Sequence, residues 1–287
     1  MDGIPINQIN TAIKEPDSSD CFSIRDIKVL LAGKDMVQEL HRHDFFHVLA
    51  LKKGKGNHEV DFTSYEFCDK SLFFMRPGQV HQVNLKAEST GFLMEFKTDF
   101  YIPPSRVSKK LMCKTSNKNL CHLDANRFQK LLYILTYIFR EYTDKHAGYY
   151  EAIKAVLDVF FLELVRHRQN RKSPPDNKTP YMQERFEEFL EHLETHVSAK
   201  KHVSQYAEML HLSSYQLNAI TKATQGKTCS ELIKDHIILE AKRQLLATSN
   251  QVNQIAYHLG YEDISYFIRF FKIHTGYSPE SFRNSFK

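Results

Sequence analysis

Four histidines, His41, His43, His47 and His81, have the type and spacing that first suggest chemistry in this chain. Neutral imidazole is the commonest protein ligand for borderline divalent metals, and four together suit zinc, nickel or copper better than a harder ion. Side chains alternate along an extended strand, so His41, His43 and His47 are expected on one face of one strand. A remote strand entered after Pro77-Gly78 would bring His81 opposite them. Histidines beside Arg42 and Asp44 also fit an ordinary surface or turn, and no metal or other cofactor is expected. No GxSxG, HExxH or Gly-rich phosphate loop occurs, so no catalytic residue is assigned.

The elements around these histidines are short. Val48-Leu49-Ala50-Leu51 and Ser71-Leu72-Phe73-Phe74-Met75 are bounded by Lys53-Gly54-Lys55-Gly56 and by Pro77-Gly78, a pattern of strands and tight turns. The histidine spacing and the later His81 after its Pro-Gly turn resemble the cupin barrel, with His47 where that pattern has a glutamate. The resemblance implies an all-β sensor domain over 1–105, with a mouth that takes a small effector. Phe45, Phe46, Phe73, Phe74 and Phe92 either line that pocket or form the core.

Helical spacing begins at Asp124. Phe128, Leu131, Leu132, Leu135 and Ile138 repeat on one face, and after a break near Gly148 so do Ile153, Val156, Leu157, Phe160, Phe161 and Leu164. A helical hairpin is expected, so residues 106–169 are assigned as a dimerisation segment whose spare apolar face suits a homodimer. Residues 170–180, with three prolines and no apolar period, form the linker. The five cysteines are scattered without a CxxC pair and fit reduced thiols. The polar start lacks the form of a secretion signal and no run is long enough to span a membrane, so a cytoplasmic location is expected.

Residues 181–287 carry a pattern twice. Gln205-Tyr206-Ala207 through Leu217 and Gln254-Ile255-Ala256 through Phe267 each read as a short helix with a small alanine, a turn, and a second helix. The second copy has one extra residue in the turn. Gly260 suits a left-handed turn position, which His211 fills in the first copy. Ser213 with Gln216, and Thr228 with Glu231, form capping boxes; the latter opens a helix to about Leu246, with Ile233, Ile237, Ala241 and Leu245 on one face. Leu217, Ile255, Leu259, Phe267, Phe270 and Phe271 are expected in the core.

The runs Ile238 to Leu246, Ile255 to Tyr261, Ser265 to Lys272 and His274 to Arg283 resemble the AraC/XylS family of bacterial regulators over about 100 residues. The resemblance implies an all-α domain with two helix-turn-helix units whose second helices enter adjacent major grooves of double-stranded DNA. By position, Tyr215, Asn218 and Ala219 match base-facing sites of the first unit, and Ser265 and Arg269 those of the second. Lys222 and Lys272 match phosphate-side sites. Ala219 departs from the longer polar side chain common there and leaves only apolar contact, for instance to a thymine methyl. Cupin-type sensors joined to this DNA-binding domain commonly keep histidines without a metal.

The expected protein is therefore multidomain, with an N-terminal all-β cupin-like barrel, a helical hairpin, and a C-terminal all-α domain with two helix-turn-helix units. Its expected function is sequence-specific transcription regulation, leaning to activation, with a small-molecule effector and RNA polymerase as partners. The alternative is a metal-dependent cupin enzyme carrying a DNA-binding domain.

Overall fold

Val48, Leu49, Ala50 and Leu51 are an unbroken apolar run because their strand is covered on both faces. Val48 and Ala50 pack toward helices, and Leu49 and Leu51 toward a second sheet. The structure, a computed structural model, describes residues 6–7, 9, 21–103, 108, 112, 119–169 and 179–286. It divides into two units, Ile4–Lys172 and Ser173–Lys287 together with Met1–Gly3.

Among the described residues, the first unit holds ten strands in two five-stranded sheets. One sheet has the order β1-β3-β8-β5-β6: β1 (Ile6–Asn7), β3 (Met36–His43), β8 (Val80–Leu85), β5 (Gly56–Val60) and β6 (Thr63–Glu66). The other has the order β10-β7-β4-β9-β2: β10 (Leu120–His122), β7 (Ser71–Met75), β4 (Phe46–Lys53), β9 (Thr90–Phe96) and β2 (Phe22–Asp26). Leu49, Leu51, Phe73 and Leu93 of the second sheet meet Val83 and Leu85 of the first, which makes the interior. A short helix, α1 (Ile27–Leu31), caps one end with Ile27 and Leu31.

The outer face of the second sheet is covered by α2 (Ala125–Asp144) and α3 (Tyr149–Gln169). Asp124 accepts the Arg127 N–H to start α2, and Lys145 ends it in a left-handed conformation. The buried faces are those the helical period marks, and Phe128, Leu131, Leu135, Ile138, Ile153, Leu157, Phe160, Phe161 and Leu164 are all spent on the sheet. What remains apolar and exposed on the pair is Tyr133, Tyr137 and Val159. Most of residues 106–118 and the linker positions 170–178 lie outside the described residues.

The second unit is a succession of helices. α4 (Pro180–His196) starts from Thr179, whose hydroxyl accepts the Met182 N–H, and buries Phe186, Phe189 and Leu193. Then come α5 (Val203–Met209), α6 (Ser214–Gln225), α7 (Cys229–Ala247), α8 (Val252–His258), α9 (Ile264–Thr275) and α10 (Pro279–Asn284). Ile233, Ile237, Ala241 and Leu245 are buried along α7, as their spacing requires. Among the described residues, no helix is long and apolar enough to cross a membrane.

Candidate nucleic-acid interface and histidine site

The two copies in the second unit match bond for bond. In the first, the Leu212 N–H donates to Ala207 O at 2.8 Å; in the second, Tyr261 N–H donates to Ala256 O at 2.9 Å. Ala207 and Ala256 are both buried, which lets the second helix cross closely. His211 and Gly260 both adopt positive φ, 54° and 72°. Both α6 and α9 run for 12 residues and end at glycines, Gly226 and Gly276, whose N–H groups donate to Lys222 O and Lys272 O at 2.9 Å. The side chains of Ser213 and Asp263 accept the N–H groups of Gln216 and Tyr266, so the extra turn residue is Glu262.

Aligning the helices pairs Tyr215 with Ser265, Ala219 with Arg269, and Lys222 with Lys272. All six are exposed, and their spacing of four and then three residues puts each trio on one helix face. Ser265, Arg269 and Lys272, with Ile268, Ile273 and Gly276, line an open concavity of about 670 Å³. Ile273, at 73% exposure, is an apolar contact surface that the charge-led reading of α9 passed over.

Asn218 is differently placed. It is half-buried, its Oδ1 accepts the Cys229 N–H at 3.0 Å, and its Nδ2 donates to Ser214 O at 3.0 Å. Both ends of its amide are used inside the fold. Phe270, expected in the core, is only half-buried and lies against Tyr261 and His274.

In the first unit, the expectation that His41, His43 and His47 share one strand is corrected. The chain turns at Asp44-Phe45, so His41 and His43 end β3 while His47 begins β4 in the opposite sheet. A bulge between Gln38 and His41 reverses the alternation of β3 and turns His41 and His43 inward. All are buried, as is His81 on β8.

His81 Nε2 lies 2.7 Å from His43 Nε2, and His81 Nδ1 lies 2.8 Å from His58 Nε2. One ring nitrogen from each of His41, His43 and His81 falls within 4.8 Å of the other two. His41 Nδ1–H donates to Glu39 O at 2.7 Å, which leaves Nε2 as the lone-pair nitrogen of the neutral ring. His47 stacks on His43, with ring centroids 5.1 Å apart, and its Nδ1 is 3.4 Å from the buried Glu95 carboxylate. Arg25 donates to that carboxylate at 2.7 Å.

Burial and the neighbouring imidazoles push His43 and His81 far below the ordinary histidine value, and burial takes His58 to about 3. Burial lowers His41 as well, against the bond to Glu39. Burial would raise Glu95, but the neighbouring His47, then Arg25 and Ser23, hold it below its usual value. His58, Glu95 and Arg25 escaped the sequence reading because they stand alone on separate strands.

A β sensor joined to a duplicated helix-turn-helix unit defines a transcription regulator that combines detection and DNA binding in one chain. The AraC-like ligand-binding domain matches residues 33–100 and a helix-turn-helix domain matches 206–285, and the chain belongs to the AraC family of transcription regulators. The uncharacterized HTH-type transcriptional regulator YfiF of Bacillus subtilis is 24% identical over 259 residues, 86% of this chain and 79% of its own. The bifunctional transcriptional activator/DNA repair enzyme AdaA of Bacillus subtilis is 28% identical over 120 residues, 42% of this chain and 57% of AdaA. The HTH-type transcriptional activator RhaS of Escherichia fergusonii is 21% identical over 248 residues, 85% of this chain and 86% of its own. Among solved structures, ToxT of Vibrio cholerae aligns over 92% of this chain and 98% of its own, at 16% identity and a TM-score of 0.43. The chain is thus a DNA-binding regulator with a ligand-binding domain for a small-molecule effector.

Proposed function

We propose that this chain is a cytoplasmic, homodimeric activator that reads DNA with α6 and α9 and acts on RNA polymerase. The observation that carries the DNA-reading half is the matched pair of exposed trios, Tyr215/Ala219/Lys222 and Ser265/Arg269/Lys272, on two helices of equal length. Arg269 is the main specificity residue, since a bidentate arginine–guanine pair contributes about 1–3 kcal/mol of discrimination. Tyr215, Ala219 and Ser265 offer smaller or apolar contacts, and Lys222 and Lys272 hold phosphates. Asn218, once a base-facing candidate, acts through the placement of α6 instead.

The chain then comprises a sensor over 1–105, a dimerisation segment over 106–169 whose strand β10 completes the sensor's second sheet, a linker over 170–180 whose last residue, Pro180, already opens α4, and a DNA-binding domain over 181–287. Exposed Tyr133 and Tyr137, one turn apart on α2, support the dimer contact. Activation is supported by the likeness to RhaS and AdaA, both transcriptional activators.

Genome-wide immunoprecipitation of the tagged full-length protein, with Arg269→Ala as control, tests this reading. Sharp peaks upstream of a few operons that disappear in the variant are expected. Peaks that survive unchanged in the variant would refute Arg269 as the reader.

A second reading, a metal-dependent enzyme carrying a DNA-binding unit, is favoured only by the buried imidazole set. It requires substrate turnover by the purified protein that is lost in His43→Ala.

A further inference from the structure

Five histidines, His41, His43, His47, His58 and His81, are buried inside one small sandwich. Placing that many polar rings away from water is costly unless each nitrogen finds a partner. The contacts among them are not arbitrary. His43 and His81 point their Nε2 atoms at each other, and His41 brings a ring nitrogen to the same spot.

Two of these three rings are also held from behind. Glu39 O fixes the far nitrogen of His41, and His58 Nε2 meets the far nitrogen of His81. A backbone carbonyl or second polar group on the outer nitrogen is the usual device that orients a metal-binding imidazole and sets its tautomer. The deep burial that keeps these rings neutral also keeps them in the form that binds an ion.

We propose that His41, His43 and His81 bind one borderline divalent transition-metal ion, of the zinc, cobalt, nickel or copper class, inside the sandwich. An all-nitrogen donor set excludes magnesium and calcium as preferred occupants, because those ions take oxygen ligands. Tetrahedral coordination at about 2.0–2.1 Å from each nitrogen needs nitrogens about 3.3 Å apart. The His43 and His81 nitrogens, 2.7 Å apart, therefore have to separate slightly on binding. Three protein ligands leave a fourth position, for water or for a donor atom of the small-molecule effector. His47, tied to Glu95, stands beside this set and not within it.

The test uses the full-length protein, stripped with a chelator and then titrated with zinc or cobalt alone. One equivalent bound per chain is expected, with the visible bands of tetrahedral cobalt and a raised melting temperature of the sensor unit. His58→Gln, which leaves the three ligands in place, is expected to weaken zinc binding about 10–100-fold. X-ray absorption of the zinc-loaded wild-type protein is expected to show imidazole scattering at about 2.0 Å and no sulfur shell. That measurement needs no variant to fold. A sulfur shell would put the ion at a cysteine, for instance Cys68, whose Sγ lies 3.1 Å from His122 Nδ1, and would overturn the proposal. Failure of the wild-type protein to take up a stoichiometric ion would overturn it as well.

Discussion

Asn218 Oδ1 accepts a hydrogen bond from the Cys229 N–H at 3.0 Å, and the second copy has Ile268 and Pro279 at the same two positions. The pairing is chemically reciprocal. A first-turn N–H has no partner within its own helix, so α7 takes one from the side chain of Asn218. Proline at the start of α10 has no N–H to satisfy, and position 268 is free to be apolar.

Asn218→Ala should therefore cost stability more than specificity. Leaving a half-buried N–H without its acceptor removes about 1–3 kcal/mol. Denaturant melting should show that loss, while selection from random DNA returns the wild-type motif. A changed motif at unchanged stability would make Asn218 a reader after all.

Arg269→Ala and Lys272→Ala should separate base reading from phosphate holding. The arginine variant is expected to lose about 1–3 kcal/mol of discrimination at one base pair. The lysine variant should weaken all sequences alike and lower the salt slope by about 1. Binding measured at several salt concentrations on matched and mismatched sites distinguishes the two.

The two left-handed turn residues should respond oppositely to substitution. His211 carries a Cβ at φ 54°, so His211→Gly relieves about 1–2 kcal/mol of backbone strain, less the entropy that glycine adds to the unfolded chain. A Cβ on Gly260 would fall 1.8 Å from Ser198 O, and Lys201 Nζ already donates to both Ser198 O and Gly260 O. Gly260→Ala should lower the melting temperature of the helical unit markedly, and His211→Gly should hold or raise it.

Mild acid should unfold the sensor unit first in chelator-treated protein. Unfolded histidines take up protons near pH 6.5, whereas buried His43 and His81 stay neutral far below that value and His58 does so to about pH 3. The unfolded chain then binds more protons, so stability falls as pH drops below 6.5, by about 1.4 kcal/mol per unit for each such ring. Glu95, held below its usual value by His47 and Arg25, adds a further loss only when pH falls past the carboxylate range. Melting curves of the full chain from pH 7.5 to 5 should show the sensor transition moving to lower temperature.

Much of this protein was determined by amino-acid order alone, because the signals are local. Capping pairs such as Ser213 with Gln216, the left-handed Gly260, and the apolar periods of α2, α3 and α7 depend on residues within a turn or two of each other. The duplication is legible in the same short-range patterns, whereas the DNA-facing positions came from the resemblance to the AraC/XylS family and their exposure from the structure. Only the tertiary structure decided which residues meet across distance. A turn at Asp44 and a bulge in β3 send His43 and His47 to opposite sheets, and strand register then brings His58 and His81 together from 23 positions apart. Asn218 looks like any exposed helix residue until α7 folds against it. Side-chain alternation is set residue by residue, but the partner across a sheet or helix is set by register and packing, which no local pattern encodes.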